Sequence, residues 1–311
     1  MMRLADGVHY LGTVGDPQVL STYLVGQGNE FALLEPGPSN TVEETLYLIQ
    51  SSGVPLDSVK YLVVTHVHLD HAGGAWKMIG RLPNADVVVY KGGGKHMADP
   101  QRLSQGAEMV LGPLYKLWGE MKALPADRIR EVEEGETLSV GGHHLRVIYT
   151  PGHSPFHMSL MDLESRSLFT GDAVGMYVGE KDTLWPASPL PSFRYEDSMV
   201  TIGGLESESP RRLLIPHYEP QSDVAHLFDL NKRTYQGWHD LLDREPPEKS
   251  LGQVVEDLLG SSASYSWIPS DELARWVITM HATGFRQYFL DRRDPQPPPT
   301  AGLDGAGRGQ A

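Results

Sequence analysis

The chain has 311 residues, 40% of them hydrophobic, with no cysteine and a formal net charge of −14 at pH 7. Lack of cysteine excludes disulfides, zinc–thiolate sites, iron–sulfur clusters and thiol nucleophiles, and the acidic balance disfavours nucleic acid or an anionic membrane as partner, since both select a basic surface. The start, Met1-Met2-Arg3-Leu4-Ala5-Asp6-Gly7, lacks the apolar core of a signal peptide, and no apolar run is long enough to span a bilayer, so a cytoplasmic location and a small-molecule substrate are expected.

In chain order, residues 8–14, 19–25 and 31–35 read as short strands, separated by Gly15-Asp16-Pro17 and Gly26-Gln27-Gly28-Asn29. Residues 40–52 read as a helix, which Asn40 or Thr41 can cap and in which Val42, Leu46 and Ile49 repeat at helical spacing. The continuous apolar run at 61–65 predicts a buried strand. A helix follows near Gly74, and Val87-Val88-Val89 is the next strand. Gly92-Gly93-Gly94-Lys95 lacks the spacing of a phosphate loop and reads as a flexible loop. Residues 100–121 carry Leu103, Met109, Val110, Leu114, Leu117 and Trp118, as one or two helices broken at Gly112-Pro113, with Tyr115 and Trp118 in the core. Strands recur at 129–132, 137–140, 144–149, 157–162, 167–170 and 212–215. Residues 174–195, with Tyr177 and Trp185, are too long for a simple turn and suit a pocket wall. Helical patterns then take over at 226–244, 250–259 and 269–290, before a Pro- and Gly-rich stretch at 294–311 that reads as a disordered tail. The expected division is a layered α/β domain over 1–220, a helical appendage over 221–293, and the tail.

Chemistry concentrates directly after the strand at 61–65. Three histidines and an aspartate crowd into His66-Val67-His68-Leu69-Asp70-His71. Imidazole and carboxylate are the usual ligands of zinc and similar divalent ions, and a core segment would have to find a partner for each group. Further ligand types stand at strand ends flanked by Gly or Pro: His153 in Pro151-Gly152-His153, Asp172 in Thr170-Gly171-Asp172, His217 after Ile215-Pro216, and Glu35 before Pro36-Gly37.

His66-x-His68-x-Asp70-His71, followed in order by His153, Asp172 and His217, resembles the metallo-β-lactamase-fold hydrolase superfamily over residues 8–220, and most of all its glyoxalase-II-like branch. The resemblance implies a four-layer αββα sandwich with metals at one edge. It implies that His66, His68 and His153 hold one ion, that Asp70, His71 and His217 hold a second, and that Asp172 bridges both. The ions would be Zn2+, with Mn2+ or Fe2+ as alternatives, and a hydroxide between them would attack an ester, thioester or lactone, with Asp70 orienting it. Glu35 stands where the family more usually has aspartate and is placed to buttress a ligand histidine. His157 is a candidate for a similar role or for a substrate contact, and Tyr177 for a substrate contact.

Other reactions of the same fold are a small phosphodiester hydrolysis and an iron-dependent oxidation. The flavin-linked diiron relatives carry a carboxylate where this chain has His68, and no glutathione-type cluster of Arg and Lys follows His217. Trp238, Trp267, Trp276 and Phe285 suit a cover over the pocket mouth, packing on the sandwich, or a homodimer contact. His9, His96, His143, His144, His226, His239 and His281 have no motif context and read as ordinary surface or core histidines.

Overall fold

Alternation along the strands sorts the apolar side chains between layers. In a computed structural model, which describes residues 1–15, 20–112, 115–246 and 248–293, seven strands form a first sheet in sequence order: β1 (Met2–Ala5), β2 (Val8–Val14), β3 (Leu20–Gln27), β4 (Glu30–Leu34), β5 (Val59–Val63), β6 (Asp86–Tyr90) and β7 (Ile129–Val132). Pairing is antiparallel as far as β4 and parallel from β4 to β7. A second sheet is built from β8 (Thr137–Val140), β9 (His143–Tyr149), β10 (Met158–Asp162), β11 (Ser167–Phe169) and a late strand that pairs parallel to β11. A hairpin, β12 (Met176–Val178) with β13 (Thr183–Trp185), stands apart, and the late strand is β14 (Arg212–Leu214).

Leu34 and Val63 of the first sheet meet Leu160, Phe169 and Leu214 of the second in one core between the sheets. Their neighbours point the other way. Leu33 and Leu62 pack under the helices α1 (Val42–Ser51), α2 (Leu69–Ala72) and α3 (Ala75–Met78). On that side the chain adds α4 (Gly94–Ala98), α5 (Gln101–Leu111) and α6 (Tyr115–Trp118). Met161, Leu168 and Leu213 face the outer layer of the second sheet, formed by α7 (Tyr195–Ser207), α8 (Val224–Arg244), α9 (Leu251–Gly260) and α10 (Glu272–Arg293). The result is helix, sheet, sheet, helix, as expected, with the C-terminal helices sharing one core with the second sheet. Trp238 and Phe285 belong to that core.

Some expectations need correction. The strand Met2–Ala5 and the helix Tyr195–Ser207 are not expected from the sequence pattern. The stripe that α7 buries is partly polar, with Ser198 and Thr201 beside Ile202 and Leu205, and Gly203-Gly204 weakens its helix propensity. Gly92-Gly93-Gly94-Lys95 is not a free loop: Glu131 accepts hydrogen bonds from the Gly92 and Gly94 N–H groups at 3.0 and 2.9 Å, where an anion would otherwise sit, and Gly94 opens α4. Residues 174–195 contain the β12–β13 hairpin. Asp16, Pro17, Val19, Pro113, Leu114, the Leu117 side chain and the tail over 294–311 lie outside the described residues. Among the described residues no helix is long and apolar enough to cross a membrane.

Candidate metal centre

The parallel strands β4 and β5 of one sheet, and β11 and β14 of the other, deliver their following residues to one edge: Glu35, His66 to His71, Asp172 and His217. His153 arrives from the end of β9. Its turn is fixed by α7, whose Thr201 hydroxyl donates to Pro151 O at 2.7 Å, while the Arg194 N–H donates to Gly152 O at 2.8 Å. Gly152 has φ +125° and lies so close to Ser198 that a Cβ would collide with it, so no other residue fits this turn.

Three imidazole nitrogens face one another. His66 Nε2, His68 Nδ1 and His153 Nε2 are separated by 3.0, 3.1 and 2.9 Å. Hydrogen bonds alone do not satisfy this triangle, because a neutral imidazole carries only one N–H and the outer nitrogens of His66 and His153 already need theirs. Ligand atoms around a tetrahedral ion with bonds of about 2.0 Å lie about 3.3 Å apart, close to what is seen. Beside it, His71 Nε2 and His217 Nε2 lie 3.4 and 3.6 Å from Asp70 Oδ2. Asp172 stands between the groups. Its Oδ1 is 3.4 Å from both His71 Nε2 and His217 Nε2, and its Oδ2 is 3.4 Å from His153 Nε2. His71 Nε2 and Asp172 Oδ1 are buried with no hydrogen-bond partner among the described residues. Orphaned groups of that kind, converging in two adjoining clusters, fit a pair of divalent cations.

The outer faces of these candidate ligands are braced. His66 Nδ1 donates to Thr65 Oγ1 at 3.1 Å, and that hydroxyl donates to Glu35 Oε1 at 2.6 Å. His71 Nδ1 donates to Glu35 Oε2 at 3.0 Å, so one carboxylate ties a histidine of each cluster. Glu35 itself sits at φ +59°, an uncommon conformation for a side chain other than glycine. His153 Nδ1 donates to Ala187 O at 3.0 Å. His157 is fully buried; its Nε2 accepts the Asp172 N–H at 3.0 Å, and its Nδ1 therefore donates to Thr150 Oγ1 at 2.7 Å. The structure thus places His157 behind Asp172 and away from the cavity. At Gly171 (φ +50°) a Cβ would strike the His157 ring, which explains the glycine.

Charge is divided unevenly. Burial holds the His66, His68 and His153 rings below the usual histidine value, well below for His66 and His153. Burial also pulls on His71, but Asp70, Asp172 and Glu35 outweigh it and hold this ring well above that value. His217 is raised likewise, Asp172 overcoming burial. Burial pushes the Asp70 carboxyl up, yet His71 and His217 bring it down to about 2.

A cavity of about 700 Å³ opens onto the centre, with His68, Asp70, His153, Asp172 and His217 at its floor. Its walls come from Met176, Val178 and Trp185 of the hairpin, Leu103 and Val110 of α5, and Trp276, Val277 and Met280 of α10, with Trp267 nearby. Of the four appendage aromatics singled out in the sequence, two line the cavity and two fill the core. Tyr177 is a correction. It alternates with Met176 and Val178, faces away from the cavity, and donates its hydroxyl to Asp182 Oδ1 at 3.0 Å. His281 of α10, expected to be an ordinary surface or core histidine, lines the cavity. A lone histidine in an amphipathic helix gives no signal.

The model of the metallo-beta-lactamase superfamily matches residues 15–217. A metallo-beta-lactamase fold-containing protein of Sulfurisphaera tokodaii is 34% identical over 177 residues, 55% of this chain and 64% of that protein. A thioesterase of Emericella nidulans is 29% identical over 160 residues, 50% of this chain and 36% of that protein, so the matched stretch spans only part of such relatives. The crystal structure of an archaeal metallo-beta-lactamase superfamily protein from Sulfolobus tokodaii superposes with a TM-score of 0.66 at 26% identity, covering 90% of this chain and 98% of that one. Motif order, layer order and family match agree, and the chain belongs to the metallo-beta-lactamase superfamily.

Proposed function

We propose that the chain is a dinuclear metal hydrolase, with zinc the ion best suited to its His/Asp set, and that it cleaves an ester, thioester or lactone bearing a bulky apolar acyl group. The observation that carries this reading is the contrast inside the cavity: a charged floor under predominantly apolar walls. Such walls bind hydrocarbon and aromatic surface. Arg102 is the one lysine or arginine among the described residues lining the cavity, whereas a glutathione or nucleotide portion would call for several. The likeness to a protein named a thioesterase supports the same class.

Two divalent ions bound at this floor would acidify water into a nucleophile and polarise the carbonyl under attack. The chain's own groups do the rest. Asp70, ionised throughout the neutral range and open to the cavity, accepts a hydrogen bond from the attacking group and orients it. Asp172 turns one oxygen to each cluster and sets their spacing. The apolar walls exclude bulk water, which strengthens every charge interaction at the floor.

A screen of the metal-loaded enzyme against thioesters, aryl esters, lactones and phosphodiesters tests this. Rates for acyl substrates should rise as the acyl chain is lengthened or made aromatic. Preference for a phosphodiester, or oxygen uptake by an iron-loaded sample, would replace the reading.

A further inference from the structure

His281 is 3% exposed and lies on the cavity wall, far along the chain from the motif residues. Its ring is held in one orientation. The Ser188 N–H donates to His281 Nδ1 at 3.0 Å, and the Ser188 hydroxyl donates to the His281 backbone O at 2.9 Å. Gly284, one turn further along α10, leaves no room for a Cβ against the Ser188 carbonyl, so the helix lies directly on this segment. A ring nitrogen that accepts a hydrogen bond carries no proton, so the proton of the neutral ring is on Nε2. Burial brings the ring down to about 4, which keeps it neutral at pH 7.

Among the described residues that Nε2–H group has no hydrogen-bond partner. Buried polar groups are nearly always paired, and an exception on the wall of a reaction cavity calls for a bound molecule to complete it. The ring is also near enough to the floor for Asp172, His217, Asp70 and His68 to act on it electrostatically. Resting on the acyl-hydrolase reading above, we infer that His281 donates a hydrogen bond from Nε2 to the acyl oxygen of the substrate, from the side facing the metal centre. A donor fixed in advance by Ser188 gains strength as charge grows on that oxygen. It also makes α10 part of the reaction site as well as a wall.

Two substitutions separate this role from simple bracing. In His281→Asn the amide oxygen stands near the Nδ1 position and keeps the Ser188 contact, but nothing reaches the Nε2 position. In His281→Gln the amide NH2 stands near Nε2 and keeps the donor, while the Ser188 contact is lost. With an apolar thioester, kcat of His281→Asn should fall about a hundredfold, the scale of losing one preorganised donor, with metal content and Tm near wild type. His281→Gln should keep kcat within about tenfold of wild type despite a lower Tm. Calorimetry with a non-hydrolysable ketone analogue should show weaker binding to the Asn variant than to the Gln variant. The reverse order, equal losses in both, or an active Asn variant would overturn the assignment. Failure of the wild type on every acyl substrate would instead remove the acyl-hydrolase reading, and this assignment with it.

Discussion

At His66, His68 and His153, three rings face one another and burial keeps them unprotonated. On the other side of Asp172, His71 and His217 face Asp70, and the carboxylates raise both rings above the usual histidine value despite burial, His71 well above it. Both groups stand at one edge shared by the two sheets, and one carboxylate, Glu35, braces a histidine of each. The difference lies in charge. The three-histidine group offers neutral lone pairs and is ready for a cation. The Asp70 group carries carboxylate charge that protons neutralise when no cation is there. Deprotonation should therefore accompany metal binding at the Asp70 group and not at the three-histidine group.

Removing Asp172 should erase the distinction. Asp172→Ala takes an oxygen from both groups, so metal content should fall clearly in elemental analysis and kcat/KM by about a thousandfold or more. Full metal occupancy in this variant would remove the bridging role. Glu35→Gln is the next test in size. Thr65 and His71 both donate to the Glu35 carboxylate, and an amide offers only one acceptor oxygen, so one donor loses its partner. Metal affinity, read by chelator competition, should drop about 10- to 100-fold. A loss confined to one ion would show that the brace serves only one group.

Acid–base linkage gives a smaller, graded effect. His71 is raised in the folded chain, so its proton stabilises the metal-free fold fully below the unfolded value near 6.5, and that stabilisation fades as pH climbs through the higher folded value. A metal ion must displace this proton. Calorimetry in buffers of different ionisation heat at pH 7 should show about one to two protons released at the Asp70 group and about none at the three-histidine group. Affinity at the Asp70 group should accordingly rise with pH by about tenfold per unit for each proton displaced. Equal release at both would break the contrast.

The motif residues were legible because they sit within short segments at strand ends, where polar groups after an apolar run stand out. His66 through His71 needed only six positions to be seen. The layers were legible from alternation, as with Leu33 and Leu34 facing opposite cores. What escaped depends on partners remote in sequence. Ser198 and Thr201 look wrong for a buried helix face until Gly152 and Pro151 are placed against them. His281 has no meaning without Ser188, 93 residues away. Tyr177 looked accessible because its loop looked irregular. Once the segment folds as a hairpin, strand alternation turns it away from the cavity.

The smallest effect concerns how the remote helices reach the three-histidine group. The buried Tyr235 hydroxyl of α8 accepts the Ala187 N–H at 3.0 Å, and the carbonyl of that same residue accepts His153 Nδ1 at 3.0 Å. Tyr235→Phe keeps the ring in its core and removes only the oxygen. The Ala187 N–H is then buried without a partner, at a cost of about 1–3 kcal/mol in unfolding free energy. His153 keeps its own bond to Ala187 O, so metal affinity should weaken by only about two- to fivefold, the lower reach of an effect that costs 10- to 100-fold when the direct brace is cut. Thermal unfolding with and without metal separates the two quantities. A stability loss of this size with unchanged affinity would confine Tyr235 to the core. A loss of affinity as large as that of Glu35→Gln would mean that the three-histidine group depends on the C-terminal helices as strongly as on its own strand ends.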